Sequence, residues 1–164
     1  MSRLLAFTFV AAIAAVACSG EDDNASNGGG ALGPAAGCAA DTRKDIYTAG
    51  MTKPAGQYQV KIVESIVDSN PSPPVKAKMT IMVLEIADAN GQPVDGATVT
   101  VAPFMPDHGH GSARPVVVKP QGNGRYEASE IWLSMAGLWT LTVSIQPAGG
   151  GPTQQAVFSF CLDG

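Results

Sequence analysis

The run "WTLTVSI", residues 139–145, constrains this chain most. Trp139, Leu141, Val143 and Ile145 alternate with Thr140, Thr142 and Ser144. A period of two puts the large apolar side chains on one face and the hydroxyls on the other, the mark of a strand with one wet face in an antiparallel sheet. Such a strand is not stable alone, so the chain must supply partners and a second layer to cover the apolar face.

Other runs share the period. "QYQVKIVES" alternates through Tyr58, Val60 and Ile62, and "ATVTVAP" sets Ala97, Val99 and Val101 against Thr98 and Thr100. "AVFSFCL" turns Phe158 and Phe160 inward, and "KMTIMVLEIAD" is apolar on both faces in its middle, as a central strand requires. Turn signals separate the runs: Asn90–Gly91 in "DANGQPVDG", Asn123–Gly124 in "QGNGRY", and the Pro-rich "NPSPP" at 70–74, which suits a protected edge. No long helical pattern appears. The spacing predicts strands near 57–67, 76–87, 96–102, 114–119, 124–133, 138–146 and 154–162. That number and regularity point to an all-β, immunoglobulin-like antiparallel sandwich of about seven strands. Trp132, Trp139, Phe158, Phe160 and Tyr126 are the candidate core, because each aromatic buries enough area to dominate its surroundings.

The first 37 residues do not belong to that domain. Arg3 precedes the apolar run "LLAFTFVAAIAAVAC", a short charged region followed by a hydrophobic one, as in an export signal, and too short for a comfortable membrane span. The run ends in "AAVAC", which resembles the lipobox of bacterial lipoproteins, with Cys18 as the lipidated first residue of the mature chain. The other reading is an ordinary secretory signal cut after "AVA". Residues 19–37 are rich in Gly, Ser, Asn and acids, and bury too little apolar surface to offset their ordering entropy. The expected organisation is a signal peptide at 1–17, a flexible tether at 18–37 with a reach of roughly 25 Å, and a folded domain at 38–164. The expected location is exported and lipid-anchored to the cell envelope, at the outer membrane or the periplasmic face, with the membrane as a partner.

An exported location allows disulfides. Cys38 stands at the start of the domain and Cys161 in its last strand, and joining them closes a loop that the chain-entropy model values at roughly 4–5 kcal/mol. The alternative is two unpaired buried thiols.

The net charge of −4 comes with no cluster of Lys and Arg, so nucleic acid is not an expected partner. Enzyme chemistry finds little support. The two histidines share one loop without a nucleophile motif, the glycine runs at 28–30 and 149–151 lack a phosphate-binding pattern, and Glu127 and Glu130 read as solvated strand residues. The expectation is a non-enzymatic protein.

The loop itself is "MPDHGHG", residues 105–111. His108 and His110 are the chain's only histidines, and residues two apart on an extended backbone share a face. Met105 offers a thioether and Asp107 a carboxylate, and Met135 in "LSMAGLW" offers another thioether from a turn that can lie at the same end of the sandwich. Imidazole with thioether suits copper, and imidazole with carboxylate also tolerates zinc. The competing reading is a structural turn or a contact surface for an envelope protein, with Pro103 and Pro106 fixing backbone angles and Gly109 and Gly111 supplying positive φ. Met51, Met79 and Met82 read as ordinary packing residues.

Taken together, "GQPVDGA" before a strand, the "MPDHGH" loop, "GRY" opening a strand and "MAGLW" leading into the next resemble the YtkA-like domain, related to the FixH-like proteins. The resemblance covers about residues 56–146. It implies a small immunoglobulin-like sandwich outside the cytoplasmic membrane. By analogy with FixH-like proteins in copper-oxidase assembly, and with copper-binding CopC-like sandwiches, it implies a copper role for Met105, His108, His110 and Met135. FixH-like proteins carry a membrane helix where this chain carries the lipobox-like run.

Overall fold

The computed structural model describes residues 37–164; the signal-like segment, Cys18 and nearly all of the tether lie outside the described residues. Ten strands build two antiparallel sheets. The first has the order β1 (Met51–Ala55), β2 (Tyr58–Val67), β4 (Met79–Ala87), β8 (Arg125–Trp132), β7 (Val117–Gly122), with the two-residue β3 (Asn70–Pro71) also pairing β2. The second has the order β10 (Gln154–Leu162), β9 (Gly137–Gln146), β5 (Thr98–Met105), β6 (His110–Gly111). The protein is therefore an all-β sandwich, and its central "KMTIMVLEIAD" strand lies between β2 and β8 as the sequence predicts.

The alternation decides what each sheet buries. Val60 and Ile62 of β2, Leu84 and Ile86 of β4, and Leu141, Val143 and Ile145 of β9 all face the interior. Trp139 and Phe158 are completely buried at its centre, and Tyr126 nearly so. The Tyr126 hydroxyl donates to the Val94 carbonyl at 2.8 Å, so the one polar atom of that ring is satisfied as it enters the core. Asn123 and Gly124 both have positive φ (54° and 70°), the conformation a two-residue turn between twisted strands demands, and they join β7 to β8. Pro120 falls in β7, an edge strand, where its missing N–H breaks no inner ladder.

Trp132 departs from its expected place in the core. Along β8, Tyr126 and Ala128 point inward, but two residues, Ser129 and Glu130, then stand opposite the single Ile81 of β4. Glu130 takes φ 62° at this bulge. The extra residue reverses the phase, so Ile131 and Leu133 are buried and Trp132 is only half-buried. Its outer ring lies under the Arg114 guanidinium, 5.0 Å from the ring centroid.

Two more differences concern strand limits. β1 had no counterpart among the expected strands, since "MTKPA" holds a proline and little alternation. β5 does not stop near Ala102 but runs to Met105, with Pro103 and Met105 both facing the core. The first residue of the histidine loop is thus the last residue of a strand.

Cys38 and Cys161 form a disulfide with Cα atoms 5.3 Å apart. It fixes the segment entering the domain against β10. Beyond it, the Asp45 backbone N–H donates to the Ser159 carbonyl and the Ser159 N–H donates to the Asp45 carboxylate, each at 2.7 Å. This pairing covers part of the free edge of β10, where open backbone groups would otherwise invite another strand.

Candidate functional site

The "MPDHGH" stretch is a tight antiparallel turn. Met105 ends β5, His110 opens β6, and the two are cross-strand partners; Phe104 pairs with Gly111 behind them. The Met105 carbonyl accepts hydrogen bonds from the N–H groups of His108 (3.2 Å) and Gly109 (2.8 Å), which closes the turn. Gly109 sits at φ 69°, where a side chain would be strained.

Pairing fixes where the side chains go. Cross-strand partners project from the same face. Met105 faces the interior and is 1% exposed, so His110 is drawn to the same side and sits half-buried over the end of the core. Its ring meets Trp139 edge to face, with centroids 5.9 Å apart. The His110 Nδ1 lies 3.0 Å from the Gly111 carbonyl oxygen. A carbonyl can only accept, so Nδ1 is the donor in this contact, and Nε2 takes no part in it. An imidazole oriented through one nitrogen, with the other open, is the arrangement a metal-binding histidine adopts. His108 is exposed, and its ring stands edge to face against His110 at 5.9 Å between centroids. An exposed ring reorients on a picosecond-to-nanosecond timescale, so His108 is adaptable where His110 is set.

The β8–β9 loop completes this end of the sandwich. The Trp139 indole N–H donates to the Met135 carbonyl at 3.0 Å. Gly137 follows with φ 119° and packs directly on the Met105 methyl. Met135 reaches the site through its backbone, and the residue is 40% exposed.

Asp107 goes elsewhere. Its carboxylate accepts two hydrogen bonds from the Arg43 guanidinium, at 2.6 and 2.7 Å. Arg43 in turn is gripped by Asp41, which accepts from Nε at 3.0 Å, from the second terminal nitrogen at 2.7 Å and from the Arg43 backbone N–H at 2.9 Å. The guanidinium beside them holds both carboxyls below the usual carboxylate range, mainly through these hydrogen bonds, and the two carboxylates raise Arg43 in return. Sequence reading missed Arg43 and Asp41, because a contact 64 residues apart leaves no local signature.

Of the five residues expected at a metal site, His108 and His110 stand with ring centroids 5.9 Å apart, Met105 is joined to His110 by backbone pairing, Asp107 is held by Arg43, and the Met135 carbonyl accepts from Trp139. Among the described residues no group of three His, Cys, Asp or Glu side chains converges. What the turn offers is two imidazoles at the strand end that also carries the buried Met105, donor types that suit copper, without the third imidazole, thiolate or carboxylate typical of protein zinc sites.

A family model described as YtkA-like matches residues 52–144, which span the histidine turn, the Gly137–Trp139 stretch and most of the strands. None of the curated proteins matches the chain. Among solved structures, the Lin-41 filamin domain is similar at 21% identity over 60% of this chain and 90% of that one, with a TM-score of 0.41.

Proposed function

The chain belongs to the YtkA-like family, and from that premise we propose that it is a non-enzymatic module of the cell envelope that binds copper at its histidine turn. His108, His110 and Met105 hold the ion, which is carried as cargo in a metal-binding or chaperone-like role. The observation that carries this reading is His110 itself. It is paired with buried Met105 and tied through Nδ1 to Gly111, a contact in which Nε2 takes no part, with the chain's other imidazole 5.9 Å away. The one carboxylate of the turn, Asp107, is engaged by Arg43. An exported, lipid-anchored location follows from the signal-like run and Cys18, and the Cys38–Cys161 disulfide supports an oxidising compartment.

A second reading keeps the same fold without a metal: an interaction module of the envelope whose histidine turn is a contact surface. The engagement of Asp107 by Arg43 favours it, since that side chain then serves to brace the turn. Titration of the purified full chain with Cu(I) and Cu(II), repeated on His108→Ala/His110→Ala, separates the two. Micromolar or tighter binding that is lost in the double variant supports the metal reading. Absence of binding, or binding unchanged by the substitutions, leaves the contact surface. For the anchor, Cys18→Ser abolishes lipid labelling if the lipobox reading holds, and retained labelling contradicts it.

A further inference from the structure

We propose that Arg43 sets the metal selectivity of the histidine turn by holding the Asp107 carboxylate out of the donor set, so that the turn presents imidazole and thioether to a soft monovalent ion and withholds oxygen from a harder divalent one. The inference rests on the reading of the turn as a copper site and adds a residue to it that touches no metal.

Asp107 adjoins His108 in sequence, and its carboxylate is the only one within the turn. A free carboxylate there would join two imidazoles in a borderline set of two nitrogens and an oxygen, which suits Zn(II). Both of its oxygens are instead occupied, one by each terminal nitrogen of Arg43. A planar guanidinium is the group that can occupy both at once, which a lysine ammonium does not do.

The latch is itself held in place. Asp41 grips the guanidinium from its other side, with a side chain only 12% exposed. Five residues before Arg43, Cys38 is bonded to Cys161, which pairs with Leu138 across the β9–β10 ladder. Arg43, Asp41, Asp107, Gly137 and Leu138 line one cleft of about 350 Å³, so the entering segment and the histidine turn share a wall. The arginine side chain is half exposed, but its guanidinium is held from two sides, by Asp41 and by Asp107.

The test compares Cu(I) and Zn(II), each as the bare ion in competition with a chromophoric chelator, on the full chain with its disulfide intact. The variants are Arg43→Gln, Asp107→Asn and Arg43→Gln/Asp107→Asn, with far-ultraviolet dichroism to confirm folding. Arg43→Gln should tighten Zn(II) by about tenfold or more, within the 10–100-fold by which supporting side chains tune metal sites, while Cu(I) affinity changes little. Adding Asp107→Asn should return Zn(II) to the wild-type value, and Asp107→Asn alone should behave as wild type. Unchanged Zn(II) affinity in Arg43→Gln, or a gain that survives in the double variant, overturns the role of Arg43 while leaving copper binding by the wild type intact. A wild-type chain that binds no Cu(I) overturns the copper site and this inference together.

Discussion

The Met105 methyl lies where a side chain on Gly137 would have to go: a Cβ built on that glycine comes within 2.7 Å of it. The contact joins the end of β5 to the start of β9. Gly137→Ala must both hold φ 119° with a side chain and push Met105 aside. We expect a loss of about 1–3 kcal/mol from the backbone strain, seen as a lower urea midpoint with an unchanged slope, together with weaker Cu(I) binding. A variant as stable as the wild type would contradict the packing described for this end.

The disulfide closes nearly the whole domain into one loop, with 123 residues of sequence separation. Cys38→Ser/Cys161→Ser should lower stability by roughly 2–5 kcal/mol. Denaturant unfolding of the oxidised wild type against the double variant measures it, and equal midpoints would contradict it.

The bulge at Glu130 offers a test with an unusual sign. Because this residue sits at φ 62°, Glu130→Gly should be neutral or stabilising, by up to about 1 kcal/mol, whereas the β-branched Glu130→Val should cost about 1–3 kcal/mol. In an ordinary strand the order would be the reverse, since valine favours extended backbone and glycine weakens it. Thermal midpoints of the two variants decide.

The Asp41–Arg43–Asp107 cluster carries a pH dependence. Both carboxyls lie below their ordinary 3.8 in the folded protein, chiefly through hydrogen bonds from Arg43. A depressed folded value binds fewer protons than the unfolded chain, so the stabilisation is complete above the unfolded value and is lost as pH falls through 3.8 and then through the lower folded values. Wild type and Arg43→Gln should therefore differ in melting temperature above about pH 5 and converge towards pH 2. Arg43 and Asp107 are about half exposed, so added salt should narrow the gap. A gap that persisted undiminished at the acid end would show that Arg43 stabilises by some route other than its carboxylates.

Much of the fold was legible because a period of two speaks directly to burial. Where Trp139, Leu141, Val143 and Ile145 alternate with hydroxyls, the pattern settles both the strand and its inner face, and Asn123–Gly124 settles the turn before β8. The same rule misplaced Trp132, because one extra residue at Glu130 reverses every side chain after it and leaves no compositional mark. β1 escaped notice for a related reason: an edge strand containing Pro54 needs little alternation of its own. Of the site, the donors were readable in "MPDHGH", but their sorting was not. The backbone pairing of Met105 with His110 sets those two side by side, and the removal of Asp107 depends on Arg43, 64 residues away in sequence.

Copper X-ray absorption of the Cu(I)-loaded full chain, alongside Met105→Leu and His108→Ala/His110→Ala, tests the central claim most directly. The wild type should bind one equivalent in a shell of nitrogen with one sulfur, the sulfur disappearing in Met105→Leu and stoichiometric binding disappearing in the histidine variant. Failure to bind, or a shell that survives unchanged in both variants, would contradict the histidine turn as a copper site.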